Sequence, residues 1–220
     1  MKTDAPLFKN PLFDYTLTVL LLLQFFVIPV FPTAFHGWLF NIVGTLMYIN
    51  LILIVNIFRS QIAVTVFVLF IADWLLFFFG GHFLGTISAF LSIVLFLCIV
   101  TIFIASLATT KNVDRKIIMH AVNGYLLLGV IAAIGFEVIM LHNPEALSFP
   151  FHAYDLEGSA SRFAEYQYFG LCTLSTLGYG DITPLSFTAR SFATMITMSG
   201  QMYLAIIIAL LVGKFVGQNK

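Results

Sequence analysis

The chain has 220 residues, 60% of them hydrophobic and only 9% charged, with a net charge of zero and a mean hydropathy of +1.03. Soluble domains carry about 25% charged residues, so the composition excludes a soluble domain with a single anchor, and neutrality leaves no basic footprint for nucleic acid. Cys98 and Cys172 fall in different helical segments and the five histidines lack ligand spacing, which gives neither a disulfide framework nor a metal cluster.

A helix that crosses a bilayer needs about 20 apolar residues. Residues Met1 to Asp14 are polar with prolines, and the apolar run after them outlasts a signal peptide. Six spans are predicted in order: Leu12 to Phe31, His36 to Phe58, Ile62 to Phe79, Leu84 to Ala108, Ile117 to Leu141 and Ser186 to Val216. A charged linker, Thr109 to Lys116, separates the fourth from the fifth. Asn143 to Ser161 reads as a polar loop, and Arg162 to Ser175 is amphipathic and too short to span, hence a re-entrant helix. The expected fold class is an all-α membrane protein, with residues 1–108 as a four-helix unit, 109–116 as linker and 117–220 as a second unit.

Eight of the ten basic residues (Lys2, Lys9, Arg59, Lys111, Arg115, Lys116, Lys214, Lys220) fall on one side of this layout, and only Arg162 and Arg190 on the other. By the positive-inside rule both termini are expected in the cytoplasm of a multi-pass cell membrane protein. The opposite side holds Glu145, Asp155, Glu157, Glu165 and Asp181. That bias suits a cation mouth; for Glu145, Asp155 and Glu157 ordinary solvated loop charge explains it equally well.

Between the re-entrant helix and the last span lies Ser175-Thr176-Leu177-Gly178-Tyr179-Gly180-Asp181. A cation crossing a bilayer must shed its hydration shell, and a ring of backbone carbonyls can replace that shell. A backbone that turns successive carbonyls to one side must alternate handedness, and Gly178 and Gly180 take positive φ at little cost. Thr176 can add a hydroxyl ring at the inner end, Tyr179 can brace the wall, and Asp181 would attract cations at the mouth. Irregular backbone of this kind must be buried in protein or line water.

Thr176 to Asp181 resembles the signature of the tetrameric potassium channel family, with Tyr168 and Phe169 similar to its pore-helix aromatic pair, Pro184 after the filter, and Arg190 and Gly200 where the inner helix carries a basic residue and a hinge. The resemblance covers roughly residues 115 to 217. It implies a passive potassium channel with permeant K+ in the filter as the only metal, no other cofactor, and a homotetramer, since one chain supplies one of about four loops. It further implies filter support from Tyr168, Phe169, Cys172 and Glu137. Phe169 can pack against Tyr179 but cannot donate to it, and Tyr168 can donate. Glu137 is expected to bond the loop around the pore helix. A bacterial inner membrane is the implied location.

Gly200 is either a hinge or a close-packing point. Below it Gln201, Leu204, Ile208 and Val212 follow helical spacing and are expected to face the cavity, with Ile208 or Val212 closing it by dewetting. Met195, Met198 and Met202 are read as packing, and Gly213 and Gly217 as a weak small-residue motif. Six helices with a pore between the last two resemble voltage-gated architecture, but Gly85 to Ala108 contains no basic residue. Each charge moved is worth about 2.3 kcal/mol per 100 mV, so voltage-independent or weakly voltage-dependent opening is expected. Asp73 in the third span is either a remnant of a voltage sensor or a carboxyl satisfied by Asn50, Asn56 or water. The chain ends at Lys220, and no cytosolic ligand-binding domain is expected. The alternative readings are a non-conducting or modulatory subunit and a less selective cation channel. No nucleophile–base pair points to an enzyme.

Overall fold

The computed structural model describes residues 11–54, 59–79, 81–110, 114–149 and 159–218. Lys2, Lys9, Asn56, Lys111, His152, Asp155, Glu157 and Lys220 lie outside these residues, as do the side chains of Arg59 and Asp73. Seven α-helices are present among them: α1 Pro11–Leu22, α2 Thr33–Ile54, α3 Arg59–Phe79, α4 His82–Thr109, α5 Arg115–His142, α6 Ser159–Leu174 and α7 Phe187–Gln218. The fold is all-α and built for a membrane. Five segments are long and apolar enough to cross one: Leu12–Val30, Thr33–Leu53, Phe83–Thr109, Arg115–His142 and Phe187–Val216. The third predicted span is helical too, as the 21-residue α3, seated between α2 and α4.

Local chemistry sets the helix ends. Pro11 opens α1, where its missing N–H is not needed. The same run continues through a π-turn, Leu23–Val27, and a 3-10 turn, Ile28–Val30, then stops at Phe31, extended with ψ 158° ahead of Pro32. Asp114 caps α5 by accepting from the Ile117 N–H at 2.9 Å. Ser186 does the same for α7, accepting from Ala189 N–H at 3.1 Å. The C-terminus of α4 is closed from outside: the Lys214 ammonium on α7 donates to the carbonyls of Leu107, Ala108 and Thr110, the charge a helix C-terminus favours.

The core is organised on α5. Every residue from Leu127 through Phe136 is buried, as expected of a helix covered all round. Helices α1, α4, α6 and α7 all pack on it. Polar ties complement the apolar contact. Tyr48 on α2 bonds Ser92 on α4 at 2.9 Å and stacks on Phe96. Trp74 on α3 donates to Thr45 on α2 at 3.2 Å. Asn50 donates to Thr16 on α1, so one candidate partner for Asp73 is engaged by α1.

The largest departure from the sequence-based expectation is a polar junction of α1, α4 and α5. Asp14 Oδ1 lies 3.2 Å from His120 Nε2, with the two side chains 1% and 0% exposed. Ser106 on α4 reaches His120 Nδ1 at 3.3 Å, Phe103 stacks on the imidazole, Thr18 donates to Asn123 Oδ1 at 2.7 Å, and Asn123 donates to the Asp14 carbonyl at 3.0 Å. In sequence Asp14 reads as the end of a polar N-terminus. It also falls within the predicted first span, Leu12 to Phe31, and what the sequence does not reveal is its burial and its pairing with His120 of α5.

A second departure is a small sheet. Within the predicted polar loop, β1 (Leu147–Ser148) pairs antiparallel with β2 (Thr183–Pro184), Leu147 opposite Pro184 and Ser148 opposite Thr183. Leu185 N–H adds a bond to Ala146 O at 2.8 Å. Two-residue strands carry no sequence period, so only the meeting of two distant segments creates them.

Candidate functional site

The site begins where α6 ends. Its last turn loosens through Ser175 N–H to Leu171 O at 2.9 Å, Thr176 N–H to Thr173 O at 3.1 Å and Leu177 N–H to Cys172 O at 2.9 Å. Beyond that the backbone takes positive φ at every second residue: Thr176 at 61°, Gly178 at 58° and Gly180 at 81°. The two glycines are those predicted. Thr176 is not: a β-branched residue in the left-handed region is uncommon, and no sequence signal marks it. This alternation is the backbone that can turn successive carbonyls to one side. The strip is uncovered along its length, with Leu177 55% and Tyr179 68% exposed.

The end of the strip beyond Gly180 is held by Tyr168 and Asp181. The Tyr168 ring stacks on Tyr179, with centroids 6.5 Å apart and planes 8° from parallel. Its hydroxyl donates to Asp181 Oδ2 at 2.5 Å, and Ile182 N–H donates to Asp181 Oδ1 at 3.0 Å. The hydrogen bond from Tyr168 holds the Asp181 carboxyl below its usual range and pushes the Tyr168 phenol well above its own. Asp181 is thus a fixed carboxylate at this end of the strip. Cys172 is buried beside Tyr168, and burial pushes its thiol up, so it presents a neutral group behind the strip.

Phe169 turns into the core of its own chain, 4.6 Å from Phe136, which in turn meets Phe192 edge-on at 4.9 Å. Successive residues on a helix point about 100° apart, so only one of Tyr168 and Phe169 can face the strip. Glu137 is half-buried on α5. Burial first, and then the Glu137 charge, pushes the Tyr166 phenol on α6 to about 12. Much of the loop that Glu137 was expected to bond, residues 150–158, lies outside the described residues.

Helix α7 reaches the Thr176 end of the strip. Thr197 Oγ1 donates to Thr173 O at 3.3 Å. Gly200 lies so close to α6 that a Cβ there would stand 2.1 Å from Leu174 O. Close packing therefore requires this glycine in an α7 that is helical throughout. Gln201 Nε2 donates to Thr176 Oγ1 at 3.4 Å, a contact that helical spacing does not reveal. Further along, Leu204, Ile208 and Val212 are exposed on the single chain. So are Met195, Met198 and Met202, read as packing; with Ser191, Thr194 and Ser199 they line an open groove of about 560 Å³ instead of joining the core. Arg190 Nε donates to Pro184 O at 3.1 Å, tying α7 to β2. Gly217 lies at the edge of the described residues and its packing is not described.

Residues 130–216 match the model of a family described as "Ion channel". The match runs from the middle of α5 to near the end of α7 and contains the whole alternating strip, so this part of the chain is similar to an ion channel domain. Comparison with curated proteins and with solved structures gives no match.

Proposed function

We propose that the chain is the subunit of a potassium-selective channel, in which the backbone of Thr176, Leu177, Gly178, Tyr179 and Gly180 lines a four-fold filter. The observation that carries this reading is the alternation of positive φ at Thr176, Gly178 and Gly180. A carbonyl cage needs about four such strips around one axis, and one chain holds one strip, so the assembly is a cyclic homotetramer. The uncovered strip and the exposed α7 side chains are the surfaces that such an assembly would enclose. Asp181 concentrates cations at the outer mouth, and Ile208 or Val212 narrows the inner one. The six helices α1 to α5 and α7 cross the membrane with both termini in the cytoplasm, by the distribution of Lys and Arg, and residues 1–108 form a voltage-sensor-like unit without gating charges.

The test is flux through the purified chain in liposomes. Potassium uptake is expected to exceed sodium uptake by orders of magnitude. Gly178→Ala forces a Cβ into a left-handed residue at about 1–2 kcal/mol per chain and is expected to abolish the selectivity. Equal potassium and sodium uptake by the unaltered protein refutes the reading, and absence of any flux favours a non-conducting subunit.

A further inference from the structure

We propose that Gln201 is a positioning residue for the innermost cation ring, acting through the Thr176 hydroxyl, and that it weakens cation binding there. This rests on the reading of Thr176 to Gly180 as the filter.

The Thr176 hydroxyl gives its one proton to Ser175 O at 2.6 Å and accepts from Gln201 Nε2 at 3.4 Å. A hydroxyl has one proton and two lone pairs, so these bonds fix its rotation and leave a single lone pair for a cation. The amide group that approaches it presents the positive end of its dipole beside the ligand oxygen. That lowers the oxygen's attraction for a cation, and conduction needs sites that ions can leave as well as enter.

Gln201 does not reach Thr176 by chance of rotamer alone. Thr197, Gly200 and Gln201 lie three and four residues apart on one face of α7. Thr197 bonds Thr173 O, Gly200 rests against Leu174 O, and Gln201 meets Thr176. The first two contacts fix the height and rotation of α7 relative to the end of α6, and so deliver the Gln201 carboxamide to the hydroxyl. Leu204, one turn further along, has no donor to offer.

The probe is barium, a divalent cation close to potassium in size, applied to the full-length protein in liposomes from the side of the chain termini. Gln201→Leu removes the donor and is expected to tighten barium block by about two- to tenfold, the range of one net hydrogen bond. Gln201→Asn keeps the amide but withdraws it by one methylene, and is expected to behave as Gln201→Leu. In a Thr176→Ala background the effect of Gln201→Leu is expected to vanish, since the two residues act as one unit. Block by Gln201→Asn equal to that of the unaltered protein overturns the proposal, because polarity of the cavity would then suffice. So does a Gln201→Leu effect of the same size with and without the Thr176 hydroxyl, or no effect. If Thr176→Ala does not conduct, the comparison of Asn with Leu decides alone. Loss of selectivity in the unaltered protein refutes the filter reading itself; selective flux with block unmoved by Gln201→Leu refutes only the positioning role.

Discussion

At Thr176 the backbone enters the left-handed region with φ 61°, which a β-branched side chain avoids. The surroundings hold it there: its N–H bonds Thr173 O, its hydroxyl bonds Ser175 O, and Gln201 bonds the hydroxyl. Strain of this kind persists where neighbouring structure over-determines the residue, and it concentrates at functional sites. At the other end of the strip, Tyr168 fixes the charge of Asp181. The lowered carboxyl keeps its charge to a lower pH than an ordinary carboxylate does. Tyr168→Phe removes the bond that lowers it, so the carboxyl moves back up. Cation flux against external pH is expected to fall at a higher pH in Tyr168→Phe than in the unaltered protein. Coincident acid limbs in the two proteins would refute the role of the bond. Phe169, the neighbouring residue, is not expected to shift the limb, because it faces Phe136.

Among the elements, α5 carries the architecture, and its junction with α1 and α4 is polar at the centre. Asp14 and His120 are buried together, and Thr18, Asn123 and Ser106 bond around them. Removing one member of a buried polar pair leaves the other without its partner at a cost of about 1–3 kcal/mol. Asp14→Ala and His120→Leu are each expected to lower the thermal midpoint of the detergent-solubilised protein. The double variant is expected to lose less than the sum of the two, since the residues touch. Additive losses would mean that they act separately. The same junction lies near the end of α4, where Lys214 of α7 caps the last carbonyls. The first helix, the fourth helix and the inner helix are thus linked at one level of the chain.

For the whole molecule, the proposed channel raises the question of what would move it. Described residues 82–109 form one continuous apolar helix without a basic residue. Gating-charge recording is expected to detect almost no charge displacement on a voltage step; several elementary charges per assembly would overturn this. The first four helices meet the rest of the chain through α1 and α4 against α5, α2 against α6 and α4 against α7, with Phe40 of α2 edge-on to Phe163 of α6 at 5.3 Å. A displacement of the first four helices can therefore reach α7 through α5, through α6, or directly through α4 and Lys214.

The membrane class, the helix order and the place of the strip follow from residue order alone, because apolar run length, Gly178 and Gly180 are local and one-dimensional signals. Spacing likewise picks out Asp181 and the face from Gln201 to Val212. Which aromatic of Tyr168 and Phe169 meets the strip is a matter of packing, since helix rotation depends on what α6 rests against. Packing also assigns Gly200 to close contact with Leu174 O, pairs Asp14 with a histidine over a hundred residues away, and brings Ser148 opposite Thr183. Each of these is a contact between segments distant in the chain. Hydrophobic period reports which face of a segment is apolar, and is silent on the partner that the face will find.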